Sequence, residues 1–246
     1  MTDQPFLQDD GLPSASEIGG SAFSTRSASV CAVRDLGIEA IAWDIDGTLV
    51  DSEPLHHEAL VAVCADLGVD VSDLSPDVFR GVHMVDVWAA LLPRMPKHAT
   101  MEGWIAATVD YYVAARHRLA AIEGAVETIE ALAAMGIPQV CVSNSNRAVV
   151  DANIAALGIA PALRFSISLD DVAAGKPDPE PYLTAAVRLG LHPSQVLAVE
   201  DSRSGAMSAR AAGLRLAAFI PGGLDAGEIG EADLVASRIS RVLDLF

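Results

Sequence analysis

The feature that most constrains the fold is a regular alternation of helix-like segments and short apolar runs after Gly124. Strands that follow one another through a helix run parallel, because the chain must cross back over the sheet before each new strand. The pattern therefore predicts an α/β fold, a doubly wound parallel sheet with helices on both faces. The predicted helices are 125–135, 147–157, 179–189 and 204–212, and the predicted strands are 139–142, 165–167, 196–199 and 216–220.

A further strand comes before this region, and a helical insertion separates the two. The apolar run 39–43 predicts a buried strand that ends at Asp44. Between residues 52 and 122 the spacing of apolar residues is helical, and no strand pattern interrupts it. The predicted helices there are 55–67, 76–92 and 100–121, bounded in part by Gly68 and Pro93.

These patterns predict two structural units and an extension. We expect a core domain of residues 37–53 and 122–246, with an inserted all-helical domain of residues 54–121. Residues 1–36 are rich in Ser, Gly and Asp without sustained periodicity, so we expect a flexible extension.

Composition narrows the possible partners. The chain has 16 Lys and Arg against 33 Asp and Glu, a net charge of −17, which argues against nucleic acid and anionic membranes as partners. Cys31, Cys64 and Cys141 have no metal-ligand spacing, and no long apolar run predicts a membrane span. We expect a cytoplasmic protein with reduced thiols. No heptad or exposed strand edge calls for a partner subunit, so we expect a monomer.

The segment Asp44-Ile45-Asp46-Gly47-Thr48 carries the strongest chemical signal. Two acids two residues apart, directly after a strand, project to one side of the loop, and Gly47 lets backbone amides approach an anion. An acidic loop that merely caps the next helix is the alternative.

Three further loops follow predicted strands, at the edge where open α/β sheets bind ligands. Ser143-Asn144-Ser145 offers a hydroxyl and free amides at a helix start, Gly175-Lys176-Pro177 offers a cation, and Glu200-Asp201 offers two acids. Taken singly, each has an ordinary reading as a helix cap or a surface lysine. Together they supply what phosphoryl transfer needs: a carboxylate nucleophile, acids for Mg²⁺, and a cation with donors for phosphoryl oxygens.

The order and wording of the four loops resemble the haloacid dehalogenase superfamily. Its motifs correspond here to DIDGT, the Ser143 strand end, the Lys176 loop and VEDS, within residues 39–220. The resemblance implies subfamily I, with a Rossmann-like core and a helical C1 cap, as in β-phosphoglucomutases and sugar-phosphate phosphatases.

The resemblance also implies roles for the motif acids. Asp44 would be the nucleophile that forms an aspartyl-phosphate, and Asp46 the general acid/base. Mg²⁺ would be held by the Asp44 carboxylate, the Asp46 main-chain carbonyl and Asp201, with Glu200 as a further ligand or as support for the others.

The resemblance assigns the phosphoryl oxygens to Ser143, the amide of Asn144 and Lys176. Dehalogenases and phosphonate-cleaving relatives lack an acid at the Asp46 position, so this chain resembles the phosphatases and mutases. A phosphatase of a small phosphorylated metabolite is the leading hypothesis. The alternatives are a sugar phosphomutase and a non-catalytic protein that binds metal and phosphate on the same fold.

The cap offers candidates for substrate contact. His56 lies on an apolar helix face near Asp46, and packing and a role beside Asp46 are both open. Arg80, Gly81 and His83 align with the cap loop that reads substrate in this family. Mutase relatives carry an arginine a few residues past that glycine, where this chain has Met84 and Val85. This departure lowers the weight of the mutase reading.

Overall fold

The computed structural model of the protein describes residues 36–79, 82–221 and 229–246. The predicted extension, apart from Leu36, lies outside the described residues, and so do Arg80, Gly81 and Cys31. Cys64 and Cys141 are buried free thiols. Within the described part of the chain, no helix combines the length and the apolarity that a membrane crossing requires.

A six-stranded parallel sheet forms the centre of the molecule, in the order β5-β4-β1-β6-β7-β8. The central strand β1 is buried along its whole length, which explains why its sequence reads as an unbroken apolar run. A separate two-stranded antiparallel ribbon pairs β2 with β3. The strands are β1 (Ala40–Trp43), β2 (Val50–Asp51), β3 (Ala120–Ala121), β4 (Gln139–Val142), β5 (Phe165–Ile167), β6 (Val196–Glu200), β7 (Arg215–Phe219) and β8 (Leu234–Ala236).

Helices cover both faces of the sheet, as the alternating pattern predicted. The α-helices are α1 (Glu53–Asp66), α2 (Met84–Leu91), α3 (Met101–Ala115), α4 (Ala125–Ala134), α5 (Arg147–Leu157), α6 (Glu180–Leu189) and α7 (Arg203–Ala211). One face packs against α4, α5 and the C-terminal 3₁₀ helix Ile239–Leu245, and the other against α6 and α7. The structure confirms the fold class, an α/β Rossmann-like core with a helical cap.

Helices α1, α2 and α3 have an apolar cluster of their own. Trp88 and Trp104 lie inside it, 8% and 2% exposed, with ring centroids 5.8 Å apart. A smaller apolar cluster joins α1 and α3 to α5 of the core through Leu55, Tyr112 and Val149. The cap helices therefore bury apolar faces among themselves and also contact α5 of the core.

Two of the predicted cap helices are wrong, one in its continuity and one at its end. The predicted helix 76–92 is a 3₁₀ turn, Pro76–Phe79, and a separate helix that begins at Met84. The predicted helix 100–121 ends at Ala115, and residues 120–121 form β3, paired with β2. Alanine favours helix locally, but here pairing with a distant strand overrides the propensity. The strand β8 and the 3₁₀ helix Ile239–Leu245 were not predicted.

One buried polar contact in the core yields a test of stability. The Trp43 indole N–H donates to Gln139 Oε1 at 2.9 Å, and both side chains are fully buried. In Gln139→Leu the indole N–H has no partner, so we expect the free energy of unfolding to fall by about 1–3 kcal/mol, measured by urea denaturation. Adding Trp43→Phe removes the orphaned donor, so the double variant should lose less than the sum of the single losses. Additive losses would contradict this account of the contact.

Candidate active site

The four chemical loops of the sequence meet at the carboxyl edge of the sheet. Asp44 follows β1, Ser143 follows β4 and Asp201 follows β6, and these three strands are neighbours in the sheet. Lys176 reaches the same place from the loop before α6. This is the edge where open parallel sheets bind their ligands.

Lys176 lies at the centre of the site. Its Nζ donates to Asp44 Oδ1 at 2.7 Å, to Glu200 Oε1 at 2.6 Å and to the main-chain oxygen of Val142 at 2.8 Å. The side chain is 3% exposed. Burial alone would lower the pKa of Lys176, but the charges of Asp44 and Glu200 outweigh burial and raise that pKa above its usual value. The ammonium is therefore charged, and all three of its N–H donors are used.

The side chain of Asn144 fixes the backbone of Lys176. Asn144 Oδ1 accepts from the Lys176 amide at 2.7 Å, and Asn144 Nδ2 donates to the Lys176 carbonyl at 2.9 Å. The neighbouring Gly175 leaves room for this pair, because a Cβ there would lie 2.8 Å from Asn144 Oδ1. The resemblance assigned only the Asn144 main-chain amide, and the structure adds this clamp on the lysine loop.

Three carboxylates lie close together in the site, and two of them bind Lys176. Oxygens of Asp44, Glu200 and Asp201 lie within 4.8 Å of one another. Burial, then the charge of Glu200, raises the pKa of Asp44 well above its usual value despite Lys176, and the same two causes raise the pKa of Asp201 to about 7. Excess buried negative charge with carboxylate oxygens suits a hard divalent cation. The donor set fits the predicted Mg²⁺.

Gly47 and Glu200 shape this cluster in different ways. Gly47 has a φ of +83°, and a Cβ there would lie 2.1 Å from Asp201 Oδ2, so only glycine permits the approach. Glu200 accepts from Lys176 and Tyr182 on Oε1 and from Ser202 on Oε2. Because both of its oxygens are engaged, the geometry favours Glu200 as support for the other acids.

Asp46 has a different environment from Asp44. Its Oδ2 accepts from Ser143 at 3.1 Å and from Ser145 at 2.9 Å, and its Oδ1 accepts from Asn153 at 3.0 Å. His56 Nε2 lies 3.5 Å from Oδ1. Burial would raise the pKa of Asp46, but the hydrogen bond and charge of His56, together with the Ser145 hydrogen bond, hold that pKa well below its usual value. In this arrangement Asp46 is ionised.

The sequence reasoning missed two of these partners as site residues. Ser145 belonged to a loop that was singled out, but only Ser143 and Asn144 were assigned. Asn153 is fully buried on α5, and the signal that could have found it is an asparagine four residues after Val149 on the buried face of that helix. Ser143, predicted to hold phosphoryl oxygens, here donates to Asp46.

The cap contributes two histidines near these loops. His56 stacks on Tyr112 with ring centroids 4.3 Å apart while it approaches Asp46. His83 Nε2 lies 3.5 Å from Asn144 Nδ2. The predicted substrate residues Arg80 and Gly81 lie outside the described residues.

Comparison with known proteins identifies the family. A sequence profile described as haloacid dehalogenase-like hydrolase matches residues 38–213, more than half of the chain and all four loops. The chain belongs to the haloacid dehalogenase-like hydrolases. With its helical cap, it is a subfamily I member and a phosphoric monoester hydrolase, as its phosphatase relatives support.

Several members of this family are similar over most of the chain. Validoxylamine A 7'-phosphate phosphatase of Streptomyces hygroscopicus subsp. limoneus is 31% identical over 202 residues, 81% of this chain and 93% of that protein. Hexitol phosphatase B of Escherichia coli is 30% identical, over 72% of this chain and 82% of its own. The crystal structure of CbbY from Rhodobacter sphaeroides with xylulose-(1,5)-bisphosphate matches with a TM-score of 0.74 and 26% identity, covering 85% of this chain and 99% of that one.

The raised pKa of Asp201 predicts how stability depends on pH without divalent ions. The pKa of Asp201 in the folded protein, about 7, lies above the ordinary carboxyl value. The contribution of the protonated Asp201 side chain to the stability of the fold is therefore complete below about pH 4 and is lost as pH rises through about 7. With EDTA present, we expect the melting temperature of the wild type to fall between about pH 5.5 and about pH 8. It should fall less in Asp201→Asn, because the new amide side chain does not titrate. Asp110→Asn, an exposed change on α3, should follow the wild type. If the melting temperatures of the wild type and Asp201→Asn change in parallel with pH, the raised pKa does not belong to Asp201.

Proposed function

We propose that this hydrolase is a Mg²⁺-dependent phosphatase that hydrolyses a small sugar or polyol phosphate through an aspartyl-phosphate on Asp44. The observation that carries the proposal is the Asp44 carboxylate beside the buried Lys176 ammonium, with Asp46 two residues away in a separate network of hydrogen bonds. Nucleophile and acid/base thus lie on one short loop in different electrostatic environments.

The acidic cluster would hold the metal. Asp44, Asp201 and the main-chain carbonyl of Asp46 are the ligands that the family resemblance implies. When bound, the ion offsets the negative charge of the phosphoryl group, so that an anionic carboxylate can approach it. Ser143 and the amide of Asn144 would bind the remaining phosphoryl oxygens. Lys176 would join them by exchanging one of its three present hydrogen bonds for a phosphoryl oxygen.

In the first step, an Asp44 oxygen attacks phosphorus and the bond to the leaving oxygen breaks. That oxygen keeps the electron pair and takes a proton from Asp46. In the second step, Asp46 takes a proton from water, the water oxygen attacks phosphorus, and the bond to Asp44 breaks to release inorganic phosphate. The proton taken from water restores protonated Asp46, and the carboxylate of Asp44 is free again.

The two steps need different protonation states of Asp46. The described arrangement holds Asp46 ionised, which suits the second step. The first step needs the protonated acid, and release of the bonds from Ser143 and Ser145 favours that form, because those bonds stabilise the charged carboxylate. When Ser143 turns from Asp46 to a phosphoryl oxygen, it therefore also prepares the acid.

The substrate class is supported by the relatives. Two are named for phosphatase activity on a hexitol phosphate and on validoxylamine A 7'-phosphate, and a third binds a pentulose bisphosphate in its crystal structure. These compounds share a phosphate ester on a polyhydroxylated carbon skeleton. His83 reaches the Asn144 loop from the cap and offers a polar group to such a skeleton.

A sugar phosphomutase is the second candidate, and His56 is the observation that favours it. His56 approaches Asp46 at 3.5 Å, and in mutase relatives a histidine in this place helps to position the acid/base. Met84 and Val85, where mutases carry an arginine, weigh against it.

The first test is phosphate release from sugar and polyol phosphates, and from p-nitrophenyl phosphate, with Mg²⁺ and with EDTA. We expect Mg²⁺-dependent release that falls by about 10³-fold or more in Asp44→Asn, since nucleophile losses are of that scale or larger. Asp46→Asn should lose about 10²–10⁴-fold. Asp110→Asn on the cap surface serves as the control that retains activity.

Three outcomes would overturn the proposal. Isomerised sugar phosphate that forms faster than inorganic phosphate would make the protein a mutase. Release that is unaffected in Asp44→Asn would exclude Asp44 as nucleophile. Binding of Mg²⁺ and phosphate with no turnover and no covalent adduct would support the non-catalytic alternative.

A further inference from the structure

Asn153 connects the carboxylate of Asp46 to a tyrosine of the cap. Its Nδ2 donates to Asp46 Oδ1 at 3.0 Å, and its Oδ1 accepts from the Tyr112 hydroxyl at 2.8 Å. Asn153 is fully buried and Tyr112 is 1% exposed. The three groups therefore form a continuous chain of hydrogen bonds from α3 of the cap, through α5 of the core, to the first loop.

The direction of each hydrogen bond in this chain is fixed. An ionised carboxylate only accepts, so the amide nitrogen of Asn153 must face Asp46 and the amide oxygen must face Tyr112. The tyrosine must then donate. Burial and the charge of Asp46 raise the pKa of Tyr112 well above its usual value, so the hydroxyl keeps its proton. The Asn153 amide cannot turn over without losing both of its buried hydrogen bonds, which makes the arrangement stiff.

The cap also reaches the same carboxylate oxygen by a second route. The ring of Tyr112 stacks on His56, whose Nε2 lies 3.5 Å from Asp46 Oδ1. Cap and core groups thus converge on Oδ1, whereas Ser143 and Ser145 bind Oδ2. If the serine bonds are released during turnover, Asn153 is the core side chain that still holds the carboxyl group in place.

We propose that Asn153 and Tyr112 are positioning residues for Asp46: together they fix the direction in which its carboxyl group faces the leaving oxygen. This inference rests on the acid/base role of Asp46 in the proposed function. A purely structural role for the pair would weaken the enzyme equally toward every phosphate ester, whereas misplacement of the acid harms those esters whose leaving group needs a proton.

Phosphate esters of different leaving-group acidity separate these two roles. The nitrophenolate of p-nitrophenyl phosphate leaves readily as an anion, phenolate from phenyl phosphate leaves less readily, and the alkoxide of glucose 6-phosphate needs a proton. The parameter to measure is kcat/KM, because it reports the steps through the first irreversible one, in which the leaving group departs. Hydrolysis of the aspartyl-phosphate is the same step for all three esters. Because kcat/KM does not include that later step, the step cannot hide differences between the leaving groups.

We expect Asn153→Leu to lower kcat/KM by about 10–100-fold for glucose 6-phosphate, less than complete loss of general acid catalysis would cost, and by less than about threefold for p-nitrophenyl phosphate. Phenyl phosphate should fall between them. Tyr112→Phe keeps the ring on His56 and removes only the hydroxyl, so it should show the same order of losses at smaller size.

Tyr111→Phe is the matched control. Tyr111 is the preceding residue on the same helix, and its hydroxyl donates to Glu58 Oε1 at 2.6 Å, away from Asp46. This variant loses a tyrosine hydrogen bond of similar length, and we expect its ratio of kcat/KM between glucose 6-phosphate and p-nitrophenyl phosphate to match the wild type.

Equal losses for all three esters in Asn153→Leu and Tyr112→Phe would overturn the inference while leaving the phosphatase intact. If Asn153→Leu does not fold, Tyr112→Phe alone decides, and an unchanged ester ratio in it overturns the inference. A wild-type enzyme that hydrolyses none of the three esters would overturn the proposed function, and the inference with it.

Discussion

The ion triad of Asp44, Lys176 and Glu200 is the interaction on which the rest of the site depends. An ammonium and carboxylates with almost no exposure are costly to remove from water, and only close geometry with every donor used offsets that cost. The triad ties the ends of β1 and β6, and the Val142 carbonyl at the end of β4, to one loop. The carboxyl edge of three neighbouring strands is thereby held as one rigid surface.

Asp44 and Asp46 show how two identical side chains on one loop can take different roles. Burial and neighbouring acids raise the pKa of Asp44, although the buried Lys176 donates a hydrogen bond to its carboxylate. An additional positive charge would therefore stabilise the ionised form of Asp44. Hydrogen-bond donors surround Asp46 and lower its pKa. Environments that move the pKa values of two carboxyl groups apart are typical of sites where one group acts as nucleophile and the other transfers protons.

The cap contacts the candidate site directly. The antiparallel pair β2 and β3 brings both ends of the insertion to the first loop, so that α1 starts beside Asp46. Apolar contacts of Leu55 and Tyr112 with Val149 hold α1 and α3 against α5. This packing accompanies the approach of His56 to Asp46 and of His83 to the Asn144 clamp.

The parallel sheet, the helical insertion and the loops that carry Asp44, Ser143, Lys176 and Asp201 could all be predicted from the amino-acid sequence. Apolar runs, helical spacing and strand-end acids are local patterns, so they can be read without a structure. The folded chain was needed to see that residues 120–121 form a strand, that Asn144 clamps the lysine loop, and that Asn153 and Ser145 hold Asp46. Each of these depends on contacts between residues far apart in the chain, and local propensity and spacing carry no information about such contacts.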